Sequence, residues 1–187
     1  MLCVLLNYVF VKSDDFLYII GAMICKNYNG LKLIREQHKD EKIVFCSGSF
    51  DLTHAGHVLF FEDCKKYGDI LVVGVGNDYI LKVNKGKNRP ILNQHIRLKL
   101  IDSIKPVDYC FLDESKKDNH PLDIIEETFK KLKPDAYIIN QDAFDIPYRK
   151  NLARKYGVTI IVLERFCPPK FANISTSKII EKIRSAK

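Results

Sequence analysis

An apolar, β-branched run at residues 70–75, Ile-Leu-Val-Val-Gly-Val, most constrains what this chain can fold into. A strand that is apolar at every position is typical of a parallel sheet covered on both faces. Similar short runs recur along the chain, separated by segments with helical periodicity. This alternation predicts an α/β fold, a parallel sheet with helices on both faces. The predicted strands are residues 43–46, 70–75, 107–112, 136–139 and a further buried strand at 158–163. The predicted helices are residues 31–38, 56–67, 94–104, 121–132, 148–156 and 175–184, with a short helix or turn opening at 77–78.

Residues 48–57, Gly-Ser-Phe-Asp-Leu-Thr-His-Ala-Gly-His, lie where the first predicted strand passes into a helix. A helix N-terminus offers unpaired N–H groups and a partial positive charge, which suit a phosphate. His54 and His57 lie three residues apart on one face of the first turn, so both rings can point at one anion. Gly56 removes a side chain where a ligand would need close approach. The segment therefore predicts a cradle for a nucleoside triphosphate.

Three polar segments, residues 48–57, 77–78 and 140–142, fall at the ends of predicted strands. In an open parallel sheet, ligands bind beyond the carboxyl ends of the strands, where the strand order reverses. The net charge of +7 suits a polyanionic ligand, although a solvated lysine-rich surface explains the same number equally well. Exposed strands with interleaved aromatic and basic residues, typical of RNA-binding folds, are not evident, so no nucleic-acid partner is expected.

The N-terminal region carries two apolar runs, residues 1–11 and 16–25, separated by Lys-Ser-Asp-Asp at 12–15. Neither run reaches the ~18 apolar residues of a membrane span, so no membrane partner is expected. We interpret residues 1–40 as an N-terminal extension that packs on the domain or on a partner subunit, and a homodimer would give it such a role. The six cysteines are scattered without a Cys-x-x-Cys pair, which favours a reducing, cytoplasmic compartment.

Six segments of the chain, in order, resemble the nucleotidyltransferase superfamily with the HxGH signature, the cytidylyltransferase-like group. They are residues 48–57, 68–75, 85–91 with Arg97 downstream, 107–108, 133–135 and 174–179. Within that group the chain is most similar to adenylyltransferases acting on heptose 1-phosphate, which transfer AMP from ATP to a sugar phosphate. The resemblance implies a Rossmann-like nucleotidyltransferase domain over residues 41–187. Two features differ: residues 139–142 read Ile-Asn-Gln-Asp where the heptose enzymes have Lys-Gly-Gly-Asp, and the stretch 165–173 is longer than the family's turn.

The resemblance implies attack by an acceptor phosphate oxygen on the α-phosphorus of a nucleoside triphosphate, with release of pyrophosphate. The implied catalytic residues are His54 and His57, which donate hydrogen bonds to phosphate oxygens, and Lys85, a mobile charge in a basic loop. Asp51 organises its turn or helps to recruit Mg²⁺, which is expected with the triphosphate. The implied nucleotide-binding residues are Gly48, Ser49, Phe50, Asp51, Gly56, Asp78, Arg89, Arg97, Asp142, Ser175, Thr176 and Ser177.

Several alternatives stay open at the level of sequence. Residues 175–177 can be plain helix caps, Lys85 can be a solvated loop residue, and Arg97 can form an intramolecular ion pair. The same chemistry can use CTP with glycerol phosphate or a phospho-amino-alcohol, or can be that of an archaeal-type FMN adenylyltransferase. A non-catalytic nucleotide-binding module is the alternative of a different class.

Overall fold

A seven-stranded sheet runs through the described part of this computed structural model, which comprises residues 16–17, 23–25, 27–116, 120–171 and 174–186. Six strands are parallel, and β1 pairs antiparallel with β2. The order across the sheet is β1-β2-β5-β4-β3-β6-β7. The strands are β1 (Phe16–Leu17), β2 (Met23–Cys25), β3 (Ile43–Gly48), β4 (Ile70–Val75), β5 (Tyr109–Leu112), β6 (Ala136–Asn140) and β7 (Thr159–Leu163).

Helices cover both faces of the sheet, as predicted. Val44 and Phe45 are successive, fully buried residues of β3 that belong to two separate apolar clusters. Since successive strand residues point to opposite faces, each cluster fills one side of the sheet. The helices in the described residues are α1 (Gly30–Gln37), α2 (Ala55–Lys65), α3 (Asp78–Lys85), α4 (Gln94–Asp102), α5 (Asp123–Leu132), α6 (Ile146–Tyr156) and α7 (Thr176–Ser185), with a 3₁₀ turn at Pro169–Phe171.

Strand β3 marks the point at which the strand order reverses. The chain proceeds from β3 to β4 and β5 on one side, then crosses to place β6 and β7 on the other. β3 and β6 pair in parallel, with Val44 opposite Ala136 and Phe45 opposite Tyr137. The loops that follow β3 and β6 therefore leave the sheet side by side, which is where an open α/β sheet forms its ligand crevice.

The sheet differs from the prediction at both ends. The short strand β2 was not predicted, because three residues are too few to show a strand period, yet it pairs with β5 through Met23 and Tyr109. The prediction that the last strand is buried is wrong. β7 lies at the end of the strand order, and its residues Thr159 and Val162 are exposed. An apolar run read without its neighbours does not show whether a strand is central or terminal.

The predicted N-terminal extension is described only in part, because residues 1–15, 18–22 and 26 lie outside the described residues. Leu31 and Ile34 of α1 are fully buried in the core. Tyr28, just before α1, donates its hydroxyl to Asp113 Oδ1 at 2.6 Å. A boundary at residue 40 and packing on a partner subunit stay predictions. Across the described residues, no helix has the length and apolar character needed to span a membrane.

Candidate active site

The rings of His54 and His57 stack at the start of α2, with centroids 3.9 Å apart and planes inclined by 29°. His54 is the N-cap residue, and its Nδ1 accepts a hydrogen bond from the Gly56 backbone N at 3.1 Å. The Nδ1 of His57 accepts from the His54 backbone N at 3.3 Å. A ring nitrogen that accepts carries no proton, so the proton of each neutral imidazole lies on Nε2. The backbone thus sets both rings to offer an Nε2–H donor.

Both imidazoles are neutral at pH 7 in this environment. Burial, followed by the charges of His54, Arg165 and Lys85, lowers the pKa of His57 to about 3. Burial and then Arg165 also lower the pKa of His54. A bound polyanion acts in the opposite direction, because a nearby negative charge favours the protonated ring. The pair is therefore a neutral donor set whose proton affinity rises when phosphates bind.

Gly56 and Phe50 hold the ring pair in place. A Cβ at Gly56 would lie 3.0 Å from His54 Cε1 and 3.1 Å from its Nδ1, which is tighter than ordinary contact. The glycine therefore makes room for a histidine ring as well as for a ligand. Phe50, in the left-handed region with φ of 45°, is buried and contacts His57 edge-on at 5.4 Å between centroids. Phe50 supports the histidine from within the core.

A first cavity, of about 420 Å³, lies beyond the carboxyl ends of β3, β6 and β7. Ser175 Oγ accepts from the Lys178 backbone N at 3.2 Å, and Thr176 Oγ1 donates to the Leu52 carbonyl at 3.4 Å. These contacts cap α7 and tie it to the loop after β3, so the N-termini of α2 and α7 border one space suited to an anion. The predicted site residues that line it are His54, Gly56, His57, Lys85, Asp142, Ser175, Thr176 and Ser177.

The segment after β7 also lines the first cavity, although none of its residues was among the predicted site residues. Arg165 Nη2 lies 2.8 Å from Asp142 Oδ2, and its charge contributes to the lowered pKa of both histidines. The signal that could have found this segment is its position at a strand end. The further lining residues are Phe60, Asp63, Asn140, Glu164, Arg165, Phe166, Cys167 and Ile174.

Asp51 is turned into the protein and organises the loop around residues 89–92. Its carboxylate is 2% exposed and pairs with Arg89. Oδ1 accepts hydrogen bonds from the backbone N of Ile91 at 2.7 Å and of Leu92 at 3.0 Å. These contacts fix the loop at residues 89–92, and none of them is made to the turn at residues 48–57 that Asp51 was predicted to organise. Arg89 lies at a third cavity of about 680 Å³, which Lys85 and Ser177 also line.

Arg97 and Asp78, expected to contact the nucleotide, instead contact each other and the backbone. Arg97 is fully buried, and its Nη1 donates to the carbonyls of Ser49 and Gly76 at 2.6 Å each. Its Nη2 lies 2.8 Å from Asp78 Oδ1. The guanidinium donates to backbone carbonyls that follow β3 and β4. This role needs several N–H donors held in one plane, which arginine provides. Neither residue lines any of the three cavities.

Lys85, at the end of α3, lines all three cavities. Burial and then the charge of Arg89 lower its pKa. The second cavity, of about 260 Å³, lies between the ends of β3, β4 and β5, and Gly48 and Ser49 are part of its wall. Lys85 therefore stands where the first and second cavities meet.

The donor set of the first cavity suits Mg²⁺ only as an ion that accompanies phosphates. Among the described residues, no group of three or more His, Cys, Asp or Glu could hold a metal. Asp63, Asp142 and Glu164 are the carboxylates on the cavity wall. Mg²⁺ usually keeps several waters and takes one or two carboxylates beside the phosphate oxygens. One carboxylate of this wall is enough for that arrangement.

Comparison with known proteins identifies the family and the fold. Residues 45–182 match the family described as Cytidylyltransferase-like. Bifunctional protein HldE of Helicobacter hepaticus is 29% identical over 183 residues, which are 98% of this chain and 35% of that protein. Bifunctional protein HldE of Campylobacter jejuni (strain RM1221) is 34% identical over 163 residues, 87% of this chain and 32% of that protein. The chain thus spans about a third of the length of these curated relatives.

Two solved structures share the fold. The lipopolysaccharide core biosynthesis protein from Thermoplasma volcanium is 30% identical with a TM-score of 0.55, and the match covers 68% of this chain and 98% of that one. A pantoate-beta-alanine ligase from Francisella tularensis has a TM-score of 0.60 at 18% identity, covering 85% and 76%. The second likeness shows the fold alone.

Proposed function

This chain belongs to the cytidylyltransferase-like family of nucleotidyltransferases, and we propose that it transfers AMP from ATP to a phosphorylated sugar or polyol, releasing pyrophosphate. One observation carries the proposal: two stacked imidazoles, each with its Nδ1 occupied by a backbone N–H, line the same cavity as the N-terminus of α7. Fixed, neutral Nε2–H donors beside a helix N-terminus suit a triphosphate whose phosphate oxygens gain negative charge as the pyrophosphate leaves.

The proposed reaction is an in-line displacement at the α-phosphorus. An oxygen of the acceptor phosphate forms the new P–O bond, the bond to the bridging oxygen breaks, and pyrophosphate leaves with the electron pair. His54 and His57 donate hydrogen bonds to oxygens on which negative charge accumulates. Because their geometry is set before the substrate arrives, little reorganisation is needed in the transition state.

The remaining groups of the first cavity bind and hold the reactants. The start of α7, with Ser175, Thr176 and Ser177, receives the β- and γ-phosphates. Lys85 contacts phosphates from the junction of two cavities and brings two anionic reactants together. Mg²⁺ bound with the triphosphate would neutralise phosphate charge, and Asp142 or Glu164 would be its protein ligand.

ATP and a sugar phosphate are favoured by the resemblance to the heptose 1-phosphate adenylyltransferases. Ile139 of β6 stands at the position where that group of enzymes has a lysine, and the next residue, Asn140, lines the first cavity. The acceptor can therefore differ from heptose 1-phosphate while the reaction stays the same. A cytoplasmic location and pairing into a homodimer remain predictions.

The test is pyrophosphate release from ATP or CTP in the presence of a panel of phosphate monoesters. The panel contains sugar 1-phosphates, glycerol 3-phosphate, phosphoethanolamine and FMN. We expect turnover with ATP and a sugar or polyol phosphate, lowered at least about 100-fold in His57→Asn and kept in the control variant His95→Asn, since His95 is exposed. If CTP were the sole nucleotide turned over, or FMN the sole acceptor, the proposed substrates would be wrong. Tight nucleotide binding without turnover would indicate a binding module.

A further inference from the structure

The second cavity contains a buried arginine that no carboxylate neutralises within the described residues. Arg149 of α6 is 8% exposed and lines this cavity. Its Nε donates to the Phe144 carbonyl at 2.7 Å, and its Nη1 donates to the Tyr137 hydroxyl. Both acceptors are uncharged, and in the described part of the chain Nη2 has no hydrogen-bond partner. Buried guanidinium groups are normally paired, so this one marks a place for an anion.

The same cavity has an unsatisfied acceptor on its wall. Asp113, directly after β5, is 2% exposed. Its Oδ1 accepts from the Tyr28 hydroxyl at 2.6 Å and from the Ser115 backbone N at 2.9 Å. Its Oδ2 is buried and has no hydrogen-bond partner among the described residues. A buried carboxylate oxygen without a donor is costly, and a ligand hydroxyl would satisfy it.

We infer that the second cavity binds the acceptor, with Arg149 on its phosphate and Asp113 on a hydroxyl of its carbon chain. The inference rests on the proposed function, because it needs a second substrate next to the nucleotide. Among the described residues, Arg149 and Lys85 are the basic residues on the cavity wall. Together they match a phosphate monoester, which carries nearly two negative charges at pH 7. Lys85 also lines the first cavity, so the acceptor phosphate is held facing the nucleotide.

This wall selects a class of acceptor. Because of its ammonium group, a phospho-amino-alcohol has one net negative charge fewer than a sugar or polyol phosphate. The described part of the cavity wall, with Arg149, Lys85 and Asp113, has a net positive charge and favours the more negative acceptor. A sugar or polyol phosphate brings hydroxyls, which suit Asp113 Oδ2 and the nearby Ser47 and Ser49. The structure therefore assigns a hydroxylated phosphate monoester as the acceptor, in preference to phosphoethanolamine or phosphocholine.

The first measurement does not require turnover. A crystal of the full chain is soaked with glycerol 3-phosphate, and a second crystal with phosphoethanolamine. We expect glycerol 3-phosphate in the second cavity, with its phosphate within hydrogen-bond distance of Arg149 Nη2 and a hydroxyl near Asp113 Oδ2. Glycerol 3-phosphate found only in the first cavity, or equal occupancy by both compounds, would overturn the inference even if the enzyme proves to be a nucleotidyltransferase.

The second measurement separates acceptor binding from nucleotide binding. Arg149→Met keeps a long apolar stem, and we expect it to raise the KM for the acceptor about 10- to 100-fold, because one charge-assisted hydrogen bond and a charge are lost. The KM for ATP should stay within about threefold. Arg154→Met, an exposed arginine of the same helix, is the matched control and should change neither constant.

A structural role for Arg149 would give a different result. In that case, Arg149→Met would change both KM values together, and Arg149→Lys would not restore acceptor binding selectively. A lower melting temperature is expected for either role, because methionine loses the hydrogen bonds to Phe144 and Tyr137. Asp113→Asn retains the shape of the side chain and should raise the acceptor KM without affecting the KM for ATP. An unchanged acceptor KM in both variants would contradict the assignment of the second cavity as the acceptor site. Failure of the wild type to turn over any pair would instead contradict the proposed function.

Discussion

Replacing His57 with two different amides tests whether its Nε2–H acts in the transition state. In His57→Asn the side-chain oxygen can take the place of Nδ1 and keep the hydrogen bond from the His54 backbone N, which is 3.3 Å long in the wild type. The amide does not reach the position of Nε2. Removing one preorganised donor from a charge-stabilising site costs about 10²- to 10³-fold in kcat, and we expect a loss of that size.

His57→Gln provides the matched comparison, because its amide N–H can reach the place that Nε2–H occupies in the wild type. We expect it to retain about tenfold more activity than His57→Asn, although its longer chain is less well fixed. Pyrophosphate release at saturating ATP and acceptor gives kcat, and melting temperatures show that both variants fold. Equal kcat values for the two variants, or a loss confined to KM, would refute the role given to Nε2–H.

Three further predictions concern the same site. Gly56→Ala should lower kcat by about 10²-fold by displacing the His54 ring, with little change in melting temperature because alanine favours a helix; normal activity would contradict the close contact. Lys85→Ala should raise both KM values and lower kcat in initial-rate assays, and unchanged kinetics would return Lys85 to the solvated surface. Because the folded-state pKa of His57 lies near 3, below its unfolded value, the unfolded chain takes up that proton first and the free energy of unfolding falls as the pH drops below about 6.5. Urea denaturation at pH 7 and pH 5 should show a His57-dependent loss of up to about 2 kcal/mol, smaller in His57→Gln, and equal losses in both proteins would contradict the low pKa.

The sequence predicted the part of the site that lies at strand-to-helix corners. His54, His57 and residues 175–177 occupy helix starts, and local spacing fixes which side chains share the first turn. Parallel topology then requires the strand ends to share one edge of the sheet, which brought Asp142 to the same cavity. These inferences needed only short-range geometry and the direction of the strands.

The sequence could not show what a charged side chain faces. Arg97 and Asp51 lie in segments similar to the family's, yet both bond to the protein's own backbone. The loops after β3 and β4 leave carbonyl groups that Arg97 satisfies, and the loop between α3 and α4 leaves N–H groups that Asp51 satisfies. Arg149 shares α6 with Lys150, Arg154 and Lys155, and a basic helix face is usually solvated. Only the structure shows that Arg149, alone among these four basic residues, is buried, with its guanidinium over the ring of Tyr137.

The central claim is that the stacked imidazoles of His54 and His57 bind the triphosphate through Nε2–H at the start of α2. A crystal structure of the full chain with a non-hydrolysable ATP analogue and Mg²⁺ tests it most directly. The account predicts phosphate oxygens within hydrogen-bond distance of Nε2 of both His54 and His57, and the β- and γ-phosphates against residues 175–177. Nucleotide bound outside the first cavity, with neither Nε2 near a phosphate, would contradict it.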